Sequence, residues 1–142
     1  MSEPTRVLFL CTHNSARSQM AEAFLNQLGK GRFHAFSAGT EARGLHALAI
    51  QAMAERGIDI SLQESKTIDE FTDEKFDLLI TVCDEANEAC PYFANATQRR
   101  HWSFPDPSRA AGDADAQFAA FASVRDAIRD RIERELLTVR VV

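Results

Sequence analysis

Val7-Leu8-Phe9-Leu10 runs directly into Cys11-Thr12-His13-Asn14-Ser15-Ala16-Arg17-Ser18. Four consecutive apolar residues followed by a polar, Ser- and Asn-containing segment read as a strand covered on both faces that empties into a loop. From Arg17 to Leu28, Met20, Ala21, Phe24 and Leu28 recur at helical spacing, and Gly29 supplies the stop. Strand, loop and helix in that order open an α/β unit.

The same alternation continues outward. Phe33–Ala38 reads as a second strand ended by Gly39, and Leu45, Leu48, Ala49, Ala52 and Met53 as a second helix closed at Gly57. Phe76–Val82 is a third buried strand. Arg99–Phe104 is a fourth, halted by Pro105 and Pro107. Phe118, Phe121, Ile128, Ile132 and Leu136 stripe a terminal helix from Asp113 to about Leu137. Strands alternating with helices imply a parallel sheet covered on both faces. Open sheets of this class hold ligands beyond the carboxyl ends of their strands. The first and third strands deliver Cys11 and Cys83 to that edge.

Residues 11–18 suit a tetrahedral oxyanion. A turn there points successive backbone N–H groups inward, and the following helix adds its positive end. Arg17 closes the cradle with a planar, permanently charged fork able to bind two oxygens. The same positive surroundings favour the thiolate of Cys11, and Ser18 is placed to donate a hydrogen bond to the sulfur. Cys-x5-Arg alone recurs by chance; the strand before it and the helix after it give it meaning.

The 142 residues fit one domain, 1–142, with no repeat or linker. At 45% hydrophobic and 26% charged, the composition is that of a soluble globular protein. No apolar run approaches a membrane span, so no membrane partner is expected and the cytoplasm is the expected location. The net charge of −5 argues against nucleic acid. It is concentrated in residues 64–90, where nine acids face Lys66 and Lys75 and give −7, so an anionic substrate needs a local positive site. Three cysteines in such a chain are either reactive thiols or small buried apolar residues.

Cys11 to Ser18, continued by Gln19-Met20-Ala21-Glu22, resembles the low-molecular-weight tyrosine phosphatase family and its thiol-dependent arsenate reductase branch. The resemblance extends through Ser37-Ala38-Gly39 and Arg56-Gly57-Ile58-Asp59 to Phe104-Pro105-Asp106-Pro107. It implies a three-layer α/β sandwich with a four-stranded parallel sheet flanked by helices. It also implies that Thr12, His13, Asn14, Ser15, Ala16, Arg17 and Ser18 bind the oxyanion. Taken alone, Pro-Asp-Pro is a turn. In the family's setting Asp106 becomes the general acid, held in a stiff loop by its two prolines.

Thr81-Val82-Cys83-Asp84-Glu85-Ala86-Asn87-Glu88-Ala89-Cys90 distinguishes two chemistries. It looks like the thioredoxin-coupled arsenate reductases, which carry two cysteines at this place and separation. That resemblance implies attack of Cys11 on arsenate, a Cys11–Cys83 disulfide, and then a Cys83–Cys90 disulfide passed to thioredoxin or a glutaredoxin-type donor. A phosphatase acting through a Cys11 phosphoenzyme is the alternative. Phosphatases of this family usually place aromatic residues after the Asp-Pro, whereas Pro107 is followed by Ser108-Arg109-Ala110-Ala111. If residues 84–90 are helical, Cys83 and Cys90 stand about 10 Å apart along the axis. A disulfide spans Cα atoms within roughly 7 Å, so closing it must bend or unwind the segment.

No cofactor is expected. Glu22, Ser37 and Asn14 resemble part of a potassium site found in some family members, but no matching acid stands near Ser65-Lys66-Thr67. No cysteine or histidine pair has zinc-ligand spacing. His13 is read either as a group tuning Cys11 or the anion, or as a solvent-facing side chain. Trp102 is assigned to the core, and a monomer is expected.

Overall fold

In the computed structural model of the chain, which describes residues 3–84 and 91–138, the apolar run lies within β1 (Thr5–Cys11). Val7 to Leu10 are completely buried, as a strand covered on both faces requires. β2 (Phe33–Gly39) pairs along one side of β1 and β3 (Phe76–Thr81) along the other, while β4 (Ala96–His101) pairs with β3. All three pairings are parallel, giving the order β2-β1-β3-β4 and the four-stranded parallel sheet that the sequence implies. Connections leave β1 and β3 to opposite sides in such an order, opening a crevice beyond their carboxyl ends. The register pairs Cys11 with Gly39 across one seam and Leu10 with Thr81 across the other.

The two faces of β1 feed two cores. Val7, Phe9 and Cys11 pack with Leu78 and Ile80 against α1 (Arg17–Leu28), α2 (Ala47–Ala54) and α3 (Ala114–Ile132). Met20, Phe24, Met53, Phe121 and Ile128 are the larger side chains these helices contribute. Leu8, Leu10 and Leu79 face a thinner layer, built among the described residues by the 3₁₀ turn Ile68–Phe71 and by Phe93. Phe71, Phe76 and Phe93 meet there edge to face, with centroids 5.6 and 5.8 Å apart. Sheet and two covers make the three layers.

The expected elements differ from the structure in several details. β4 runs over Ala96–His101 rather than Arg99–Phe104. Trp102 and Phe104, whose apolar character suggested that strand, are buried beyond its end in the helix-side core. β4 itself is an edge strand carrying exposed Arg99 and Arg100, so its sequence looks like a loop. The last turn of the terminal helix, Glu133–Leu137, widens to π-helical spacing. Gly29 does end α1, with an ordinary negative φ. A Cβ there would stand 2.8 Å from Phe33 Cδ2, so close approach rather than backbone handedness demands the glycine. Among the described residues no helix is long and apolar enough to cross a membrane.

Candidate active site

Cys11 is the last residue of β1 and α1 begins six residues later at Arg17, so the connecting loop has little freedom. Asn14 takes φ 49°, a left-handed conformation that Asn tolerates better than most side chains, and it curls the chain over the end of β1. The cap residue of α1, Ala16, makes no side-chain capping bond, and the first turn holds no acid. The positive helix end therefore faces the loop without an internal anion against it.

Asn14 is fully buried, and its side chain holds the loop rather than lining it. Its Oδ1 accepts from Lys66 N at 2.7 Å and from Gln19 Nε2 at 2.9 Å, while its Nδ2 donates to Ser18 Oγ at 2.8 Å. Ser18 Oγ in turn lies 2.8 Å from Cys11 Sγ. Because that hydroxyl oxygen already accepts from Asn14, its own hydrogen is left to point at the sulfur, the polarity that favours a thiolate. Gln19, also buried, is clasped from outside by Gln63 Nε2, and Ser65 Oγ donates to the Asn14 carbonyl.

Arg17 is almost wholly buried for a residue whose charge is permanent. Its Nη1 donates to the Phe104 carbonyl at 3.2 Å, and its Nη2 lies 3.9 Å from Asp106 Oδ2. The Pro-Asp-Pro segment is thus both a turn and a site residue. Asp106 Oδ1 accepts from Ser108 N at 2.9 Å and Ser108 Oγ at 2.7 Å, capping the 3₁₀ turn Pro107–Arg109, while Oδ2 faces the cradle. Burial opposes the charge on Asp106, but the Ser108 hydrogen bonds with Arg17 and His13 outweigh it and hold the carboxyl below its ordinary pKa.

Gly39 fixes the back of the loop. A Cβ there would lie 2.7 Å from the Thr12 carbonyl oxygen, 2.9 Å from Asn14 N and 2.9 Å from the Cys11 oxygen, all backbone atoms. The Thr12 oxygen also accepts from Glu41 N, and the Ser15 oxygen from His46 N. His13 sits on the rim, its Nε2 4.0 Å from Glu41 Oε2, and with Ser15, Arg43, Leu45, His46 and Ser108 it lines a groove of about 460 Å³.

On the other seam, Val82 N donates to the Leu10 oxygen at 2.8 Å, which carries β3 one step past its last paired residue and places buried Cys83 beside the loop. Cys83 is disulfide-bonded, whereas Cys11 is free. Cys90, and with it the expected helix and its unwinding, lies outside the described residues. Among the described residues no group of three His, Cys, Asp or Glu side chains gathers to hold a metal.

A buried thiol lies under a curled loop, with an arginine at the helix start and a carboxylate 3.9 Å from that arginine. Residues 6–140 match the family described as low molecular weight phosphotyrosine protein phosphatase. The chain belongs to that family. Among its family relatives, an arsenate reductase of Bacillus licheniformis is 45% identical over 134 residues, 94% of this chain and 96% of that one. An arsenate reductase of Bacillus subtilis is 44% identical over 127 residues, covering 89% and 91%. A solved structure described as an arsenate reductase in the phosphate binding state superposes with a TM-score of 0.76 at 33% identity, covering 96% of this chain and 99% of that one.

Within this family frame, the structure brings together Cys11, Arg17, Ser18, Asp106 and the intervening loop, and sets Cys83 on the adjoining strand end. Sequence reasoning passed over Gly39, Gln19, Ser65 and Ser108. Ser108 was within reach, because Asp-Pro-Ser is a capping sequence. The other three act through contacts across more than twenty residues or, for Gln19, through a side chain folded back on its own loop, and no local pattern announces these.

Proposed function

We propose that the chain is an arsenate reductase whose oxyanion is held by residues 11–18 and whose electrons come from its cysteines. The observation that carries this is the second buried cysteine, Cys83, one strand over from the nucleophile and in the oxidised state while Cys11 is free. The names of the relatives point the same way. Hydrolysis has no use for a redox-active thiol in that place.

Backbone N–H groups of the loop and the Arg17 guanidinium bind arsenate, and the Cys11 thiolate attacks arsenic. The incoming anion sets a second negative charge beside Asp106 and raises its proton affinity, so the carboxyl takes up a proton as the ligand arrives. It passes that proton to the departing oxygen, which leaves as water. Cys83 then attacks Cys11 Sγ. The sulfur–arsenic electron pair stays with arsenic, which falls from As(V) to As(III) and leaves as arsenite, and a Cys11–Cys83 disulfide remains. Attack of Cys90 on Cys83 frees Cys11 as a thiolate, and an external dithiol of the thioredoxin or glutaredoxin type reduces the Cys83–Cys90 bond.

Among the described residues that line the groove beside His13, none is Phe, Tyr or Trp, so an aryl ester finds no phenyl or indole ring to stack on there. The test is arsenate-dependent NADPH consumption with thioredoxin and its reductase, for wild type, Cys11→Ser, Cys83→Ser and Cys90→Ser. Wild type turns over and each variant fails. Full turnover in Cys83→Ser and Cys90→Ser would refute the reductase. Aryl phosphate hydrolysis unchanged in those two and absent in Cys11→Ser would assign the phosphatase instead.

A further inference from the structure

Beyond β2 the chain runs as a strap, residues 40–46, along the outside of the anion loop before α2 begins. Its main chain donates to three of the loop's carbonyls: Glu41 N to Thr12 at 3.0 Å, Arg43 N to His13 at 3.2 Å and His46 N to Ser15 at 2.9 Å. The Asn14 carbonyl between them is held by Ser65 Oγ and Gln19 Nε2. All four peptides are trans. In a planar trans peptide the N–H points opposite to the C=O. Drawing the carbonyls of Thr12 to Ser15 outward therefore turns the N–H groups of His13, Asn14, Ser15 and Ala16 inward, away from the groups that hold them.

His46 is where the strap is locked. It is the N-cap of α2: its Nδ1 accepts from Leu48 N at 3.1 Å, and its carbonyl accepts from Ala49 N at 3.0 Å. A cap fixes the backbone of its own residue, so the imidazole that satisfies the start of α2 also fixes the direction of the His46 N–H. The ring lies 4.5 Å from that of Phe121 in α3, centroid to centroid, which seats the cap against the core. Ser, Thr, Asp and Asn are the usual caps, and none of them carries a ring for that second contact.

We propose that His46 is a positioning residue for the oxyanion: by capping α2 it holds its own N–H on the Ser15 carbonyl and so aims the Ala16 N–H into the cradle. The proposal rests on the reading of residues 11–18 as an oxyanion site, and it applies equally to arsenate and phosphate. His46 acts through the main chain of the loop and needs no contact with the reacting atoms.

The test separates the two halves of this side chain, in the full chain and with inorganic phosphate as the probe. His46→Asn keeps an acceptor at the δ position and loses the ring, whereas His46→Phe keeps the ring and loses the acceptor. The phosphate Kd, the thermal midpoint and the exchange rate of the Leu48 amide are measured for wild type and both variants. His46→Phe weakens phosphate binding by about threefold or more and speeds exchange at Leu48. His46→Asn binds phosphate like wild type, even though losing the ring lowers its midpoint. In amide proton–nitrogen NMR spectra the Ala16 signal moves on saturation with phosphate in wild type and His46→Asn, and moves less in His46→Phe. Arg125→Ala, which loosens the other end of α2, leaves the Kd unchanged. Equal Kd values in wild type and His46→Phe, equal losses in the two His46 variants, or the same loss in Arg125→Ala overturns the proposal. A wild type that binds no phosphate refutes the oxyanion site itself, and the proposal with it.

Discussion

Gly39→Ala is the sharpest test of how the anion loop is held. The added methyl group would sit 2.7 Å from the Thr12 oxygen and 2.9 Å from both Asn14 N and the Cys11 oxygen. Relaxed carbon–oxygen contacts settle at about 3.3 Å, so the loop and the β2 end must separate by about 0.5 Å. Nothing flexible absorbs this, because all three neighbours are main-chain atoms and two belong to residues buried by the core. Overpacking of this kind costs about 2–3 kcal/mol, which lowers Tm by roughly 6–12 °C in a chain this long. A 1 Å misplacement of catalytic groups costs about 100-fold in rate, so half that displacement predicts roughly a tenfold loss of arsenate turnover. Gly31→Ala is the control. Its φ of 87° makes alanine strained, yet nothing lies within 4 Å of the added carbon, so it costs about 1 kcal/mol and leaves turnover intact. Thermal unfolding and steady-state turnover are measured side by side. If Gly39→Ala loses no more activity than Gly31→Ala, the contact argument is wrong.

Asn14→Ala removes the side chain that binds Gln19, Ser18 and Lys66 and also disfavours the left-handed φ, and it is expected to cost about 3 kcal/mol in urea unfolding. Asn14→Gly, which keeps the conformation, should recover about 1 kcal/mol of that. Because the Asp106 pKa is depressed in the folded chain, its charge contributes stability above its unfolded pKa of about 3.9, lost as pH falls through the lower folded value. Urea titrations between pH 6 and pH 3 should therefore show a shallower acid loss in Asp106→Asn than in wild type, and an equal loss would refute the assignment. Arg125 is buried in α3 and ties it to the end of α2 through the Ala52 carbonyl at 2.8 Å and Glu55 Oε1 at 2.7 Å. Arg125→Ala leaves that carbonyl without its donor and should cost about 2–4 kcal/mol while the anion-bound affinity of the folded protein stays unchanged.

Much of the fold can be read from β1, because a strand buried on both faces shows itself as an unbroken apolar run. The loop was equally readable, since Cys11, Arg17 and Ser18 lie within eight residues and Cys11 and Ser18 partner each other, although Arg17 meets Phe104 and Asp106. Legibility fades where partners are distant. β4 was displaced toward Trp102 and Phe104 because an edge strand needs no apolar residues, whereas the core just past its end does. Gly39 looked like an ordinary strand terminus, and only the three-dimensional crowding of Thr12 and Asn14 reveals its purpose. Asn14 looked like one more residue of the oxyanion loop, yet its side chain holds that loop from within a left-handed backbone that asparagine tolerates. That it does so partly through Lys66 depends on a chain segment 52 residues away.

The central place of β1 gives Cys11 two unlike neighbours. The β2 side is inert: Gly39, Ser37 and the segment around Lys66 form a wall that shapes the cavity and exchanges nothing with the ligand. The β3 side is a live wire, with an oxidisable sulfur at its end. Holding and transforming are thus assigned to opposite seams of one strand, so they can drift separately as sequences diverge. On the proposed mechanism, changes along the β2 seam retune how tightly an anion sits, whereas a single substitution at Cys83 abolishes its reduction.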